Sequence, residues 1–117
     1  MDEEVKEMWA AALESSRYVQ GKGRLRYDGK YCCLGVLCEL AVKIGVRVDE
    51  GFDPNRPADT FNGNYAYPPQ EVLDWAGLNL NDPSINHPKY GERGISVLND
   101  EFDVPFPELA KLIREQL

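Results

Sequence analysis

The stretch "QGKGRLRYDGKYCCLGVLCELAVKIG", residues 20–45, decides how this chain folds. Its first half is cationic and broken by glycines, and its second half turns abruptly apolar. Leu25 and Tyr27 alternate with charged neighbours as a strand does, and Asp28-Gly29 is a strong two-residue hairpin signal. Tyr31 then leads into a run that is apolar almost all round, with Glu39 and Lys43 its only charges. Such a pattern predicts a buried helix rather than a surface one. Gly45 is suited to close that helix in a left-handed conformation. A short hairpin feeding a buried helix is therefore the seed of the fold.

Outward from that seed, Asp2 can cap a first helix carrying Val5, Met8, Trp9, Ala12 and Leu13 at helical spacing, weakened at its end by Ser15-Ser16. Tyr18-Val19-Gln20 reads as extended. Residues 46–66 lack helical periodicity, and "DTFNGNYAY" (59–67) predicts a small hairpin around Asn62-Gly63, with Phe61, Tyr65 and Tyr67 near solvent. "PPQEVLDWAGL" (68–78) predicts a helix whose apolar side holds Val72, Leu73, Trp75 and Ala76 and which Gly77 ends. Residues 79–94 read as a polar loop. The remainder begins with a short apolar stretch, turns at Asn99-Asp100, and closes as a helix opened by Pro107, with Leu109, Leu112, Ile113 and Leu117 inward. The expectation is one domain, residues 1–117, of mainly helical α+β class, with about four helices and one or two short β-hairpins.

A chain of 117 residues supports a single core, and 43% hydrophobic with 28% charged residues is ordinary globular composition. No apolar run is long enough to cross a bilayer. The acidic start, Met1-Asp2-Glu3-Glu4, is unlike a secretory signal. Adjacent Cys32 and Cys33 would form a strained bridge, and three cysteines is an odd count. These features predict a reduced protein of the cytoplasm. The formal charge of −7 divides unevenly: Arg17 to Tyr31 carries +4 and the remainder −11. A long polyanion or an anionic membrane is repelled by such a body, whereas a small anion suits a confined positive patch.

Gly21, Lys22, Gly23, Arg24 and Arg26 are the candidate anion site, because glycines expose backbone amides and alternating arginines can share one side of a strand. Their spacing matches neither a P-loop nor a dinucleotide fingerprint. The bland alternative is a solvated hairpin whose cations balance an acidic surface. Tyr31 or a hairpin aromatic would stack on a ring, and Asn99 and Asp100 would serve polar sugar or base atoms. The same acidic turn also reads as ordinary capping of the last helix. Cys32 and Cys33 would lie at a helix N-terminus, where thiols can be activated, with His87 the sole histidine available as a base. Burial is the more ordinary role of cysteine, and adjacent cysteines followed by Cys38 do not match zinc spacing. Gly35, inside an apolar helix, points to close approach of another element or a ligand, packing being the more ordinary reason. No cofactor and no metal site are expected.

"QGKGRLRYDGKYCCLGVLCELA" together with "YPPQEVLDWAGL" and "LNDEFDVPFPELAKLI" resembles a group of small phage- and prophage-encoded proteins of unassigned function. Their shared pattern is a tryptophan-bearing first helix, a Q-G-x-G-x-L-R turn, a Y-C-C-L-G-V helix and an L-N-D turn. The resemblance implies a phage product acting in the bacterial cytoplasm by binding, and it carries over no catalytic residue. The expected activity is capture of a phosphate-bearing, cyclic nucleotide signal of host immunity by a homo-oligomer. An acidic inhibitor that binds a host protein is the alternative, and a small nucleotide-processing enzyme using Asp100 or Cys33 a weaker one.

Overall fold

A computed structural model describes residues 1–117. In chain order the elements are α1 (Glu3–Glu14), β1 (Val19–Gln20), β2 (Arg26–Tyr27), β3 (Lys30–Tyr31), α2 (Cys33–Ile44), β4 (Glu50–Asp53), β5 (Ala58–Phe61), α3 (Gln70–Ala76), β6 (Ser84–His87), β7 (Gly91–Gly94), α4 (Ile95–Asp100) and α5 (Phe106–Gln116). The class is α+β, with four helices of seven or more residues and one shorter helix. No helix is long and apolar enough to cross a membrane.

Helix α2 is the centre. Cys33 to Cys38 and Ala41 are all buried, and α1, α3, α4 and β3 pack against it. Its all-round apolar sequence leaves it no other place. Cys32 caps its start through Sγ, which accepts from the Gly35 amide at 3.4 Å, and Gly45 closes it at φ 99°. Helix α1 starts where Asp2 accepts from the Val5 amide. It pairs most extensively with α5. Trp9 is fully buried and donates its indole N–H to the Cys33 carbonyl at 2.9 Å, which ties α1 to the first turn of α2.

The strands form three small sheets. In the first, β3 lies between β1 (parallel) and β2 (antiparallel), and Asp28-Gly29 makes the tight turn with both residues at positive φ. The other two sheets correct the sequence reading. "DTFNGNYAY" does not fold on itself, because β5 pairs backward with β4 in the register Glu50↔Phe61 to Asp53↔Ala58. Asn62-Gly63 closes only a single bridge, Phe61↔Asn64. Phe61 is consequently buried rather than near solvent. Residues 79–94 hold the hairpin β6–β7, which the polar sequence concealed because only Ile85 and His87 face inward. Asn99 and Asp100 end helix α4 instead of making a free turn. Trp75 is half-buried, short of the core position expected of it.

Gly35 explains how β2 and α2 approach. A Cβ there would stand 1.6 Å from the Leu25 carbonyl oxygen, so the backbone before β2 rests directly on the helix. Gly35→Ala is expected to destabilise the fold by about 3 kcal/mol or more, since backbone rather than a flexible side chain must move. Gly23→Ala, with open space around it but φ at 75°, is expected to cost only about 1 kcal/mol. Urea denaturation of the two variants checks the contrast.

Candidate functional site

The turn between β1 and β2 is held from beneath by a polar network. Gln20 donates to the Asn99 side-chain oxygen and to the Val104 carbonyl, both at 2.9 Å, and accepts from the Phe106 amide at 3.1 Å. Asn99 also accepts from the Cys33 amide at 3.3 Å and donates to the Gly21 carbonyl at 2.9 Å and to Asp100 at 2.8 Å. Asn99 is fully buried and its amide group is saturated by these four bonds. Gly21 is equally engaged: its amide donates to the Tyr31 carbonyl at 2.7 Å, and a Cβ would meet Lys30 Cβ at 2.9 Å. Gln20 and Asn99 thus build the turn, Gly21 is fixed by it at the edge of the recess, and Asp100 accepts from Asn99.

Above that network, Gly21, Lys22, Arg24, Tyr27 and Lys30 line a recess of about 100 Å³. The amides of Lys22, Gly23 and Arg24 donate to no backbone carbonyl, and Gly23 is left-handed. Lys30 is exposed and forms no ion pair. Arg24 donates Nε to the Pro57 carbonyl at 2.8 Å and an amino group to the Arg56 carbonyl at 2.5 Å, so its charge meets no carboxylate. Lys22 pairs with Asp103, and both are exposed. The sequence pattern missed Tyr27 and Lys30, which the Asp28-Gly29 turn folds back toward Lys22.

Arg26 goes elsewhere. Residue 24 lies outside β2, so strand alternation does not align the two arginines, and Arg26 reaches Asp59 at 2.5 Å, Glu39 at 2.7 Å and Glu50 at 2.8 Å. Burial disfavours this cation, but hydrogen bonds with Asp59, Glu50 and Glu39 hold its pKa above the usual range. Three carboxylates leave the cluster net negative, so Arg26 joins sheets and helix instead of presenting its charge to an anionic ligand. Tyr31 is half-buried, packs edge-to-face with Tyr18 at 5.0 Å, and is not among the residues that line the recess.

The three cysteines are core residues. Burial pushes the Cys32 thiol up to about 12 and raises those of Cys33 and Cys38 as well, the reverse of nucleophile activation. His87 is buried on β6. Its Nδ1 accepts from the Lys89 and Tyr90 amides, and Nε2 lies 3.1 Å from Glu108, so the ring fastens the β6–β7 turn to α5. No three His, Cys, Asp or Glu side chains gather as metal ligands. A second, larger recess of about 410 Å³ lies between Arg56, Tyr65, Tyr67 and Asn81, with the Arg56 guanidinium 4.2 Å from the Tyr65 ring centre.

The profile of a family described as a domain of unknown function, DUF8296, matches residues 1–117, and the chain belongs to that family. Comparison with curated proteins and with solved structures returns no match.

Asn99→Ala is expected to destabilise the fold by about 3 kcal/mol, because it orphans the Gly21 carbonyl and the Cys33 amide inside the protein. Thermal unfolding checks this. The thiols give a pH prediction. A folded pKa above the ordinary 9.0 means the native state holds its proton more tightly. The stability so gained is complete below the unfolded pKa and drains away as pH rises from about 9 toward 12. The urea midpoint should fall across that window, less steeply in Cys33→Ala, and Ellman's reagent should label no thiol of the native protein at about pH 8 and all three in denaturant.

Proposed function

We propose that this protein captures a small phosphate-bearing ligand at the turn between β1 and β2, and that it does so as a phage-encoded sponge for a nucleotide signal of host immunity. The observation that carries the reading is the recess itself. Lys22, Arg24 and Lys30 surround a volume suited to one phosphate group, and three consecutive amides in the same turn lack backbone acceptors. Two of the three cations carry charge that no carboxylate neutralises. The acidic remainder of the chain repels long polyanions, which favours a small ligand over a nucleic acid strand. The resemblance to small phage proteins supplies the setting, the host cytoplasm, and a recess this small favours a ligand shared between subunits of a homo-oligomer. The buried thiols and the fully bonded His87 give a nucleotide-processing enzyme little to work with.

The test is native mass spectrometry of freshly purified protein, with heat-released small molecules identified, followed by calorimetry against inorganic pyrophosphate and a panel of cyclic nucleotides. A nucleotide released unchanged supports the sponge. The double variant Lys22→Ala/Lys30→Ala is expected to weaken pyrophosphate binding at least tenfold with no loss of melting temperature, since both side chains are exposed. Asp103→Asn, which frees Lys22, is expected to tighten it severalfold. Absence of binding by every phosphate compound overturns the reading in favour of a protein partner.

A further inference from the structure

The recess has an aromatic wall. Tyr27 lines it, and the Phe52 ring of β4 stacks on Tyr27 with centroids 6.4 Å apart and planes 29° from parallel. Both rings are strongly exposed, at 40% for Tyr27 and 54% for Phe52, although the chain has ample core to bury them. Tyr27 shares the recess with the cations Lys22, Arg24 and Lys30, and Phe52 extends the pair onto β4. An exposed aromatic pair beside unneutralised cations is the composition of a base-stacking platform. The other aromatic candidates lack this combination. Tyr31 packs against Tyr18 and does not line the recess, Phe61 is buried beneath the Arg26 guanidinium, and Arg56 covers the Tyr65 ring.

Resting on the reading of the turn as a phosphate site, we infer that the ligand is a nucleotide whose base stacks on Tyr27, with Phe52 supporting that ring, while its phosphate sits among Lys22, Arg24 and Lys30. Five residues line the recess, and their side-chain polar groups are three cations and one phenol. There is no amide or carboxylate among them to read the hydrogen-bonding edge of a base. Recognition is therefore by the π-face, which every base has, and the site distinguishes nucleotides from phosphorylated sugars far better than it distinguishes adenine from guanine.

Calorimetry with AMP, GMP and ribose 5-phosphate tests this. The expected result is AMP and GMP within about threefold of each other and both about tenfold tighter than ribose 5-phosphate. Tyr27→Ala should remove that tenfold advantage and leave ribose 5-phosphate unchanged, Tyr27→Trp should keep it, and Lys30→Glu should weaken all three compounds alike. Phe52→Ala, farther from the phosphate, should reduce the advantage part of the way and serves if Tyr27→Ala unfolds. Equal binding of AMP and ribose 5-phosphate overturns the stacking inference and leaves the phosphate site standing. So does loss of the nucleotide advantage in Tyr67→Ala but not in Tyr27→Ala, which would move the base to the larger recess. Failure of all three compounds, and of pyrophosphate and the cyclic nucleotides as well, overturns the inference and the phosphate site together.

Discussion

Backbone lies against backbone where Leu25 crosses α2, and the other contacts are arranged around that crossing. Only the absence of a side chain at Gly35 permits it, since a Cβ would fall within bonding distance of the Leu25 carbonyl. The Cys32 amide donates to that same carbonyl at 3.3 Å, and the Leu25 amide donates to the Tyr65 carbonyl at 2.7 Å. Leu25 itself is fully buried. One residue therefore pins the start of α2, the first sheet and the segment after β5. Because its two flanking arginines cannot follow it inward, they leave in different directions, Arg24 to the carbonyls of residues 56 and 57 and Arg26 to its three carboxylates.

That divergence sorts the cationic stretch by physics rather than by charge count. Arg26 is a structural cation, neutralised and half-covered. Arg24 is anchored by neutral carbonyls, which fix its guanidinium without cancelling its charge. Lys22 and Lys30 extend into solvent, where an ion pair such as that with Asp103 contributes little and exchanges readily. Beneath them the Gln20, Gly21 and Asn99 network is saturated, so the recess has a fully hydrogen-bonded floor and a solvent-exposed, positively charged rim. On the proposed reading, a ligand here is ordered by charge and stacking at the rim, at a modest conformational cost to the fold.

Much of the fold was legible because local signals agreed with the global outcome. Asp2, Gly45 and Gly77 stop or start their helices as their types dictate, Asp28-Gly29 makes its turn, and Gly35 marks the close approach its position implied. The failures share a cause. Strands β4 and β7 hold glycines and charges and present no buried face of their own, so no alternation betrays them. Asn62-Gly63 is a genuine tight turn, but tertiary pairing with β4 overrode the hairpin it suggested. At the site, residue type gave the cations, and partner choice, which is long-range, decided which remain free. Asn99 was noticed for its chemistry, and burial assigned that chemistry to the scaffold. Tyr27 and Lys30 lay in view within the same stretch, yet only the reversal at Asp28-Gly29 brings them beside Lys22.

The network under the turn joins residues far apart along the chain, with separations of 79, 84 and 86 positions between Gln20 and its partners at Asn99, Val104 and Phe106. Loops of that length close late, after helices and tight turns have formed. A chain whose last quarter has not docked has α1 and α2 within reach but no floor for the recess. The floor of the recess is thus absent from partly folded protein and appears only when the last quarter docks, so an intact floor is itself a signature of complete folding.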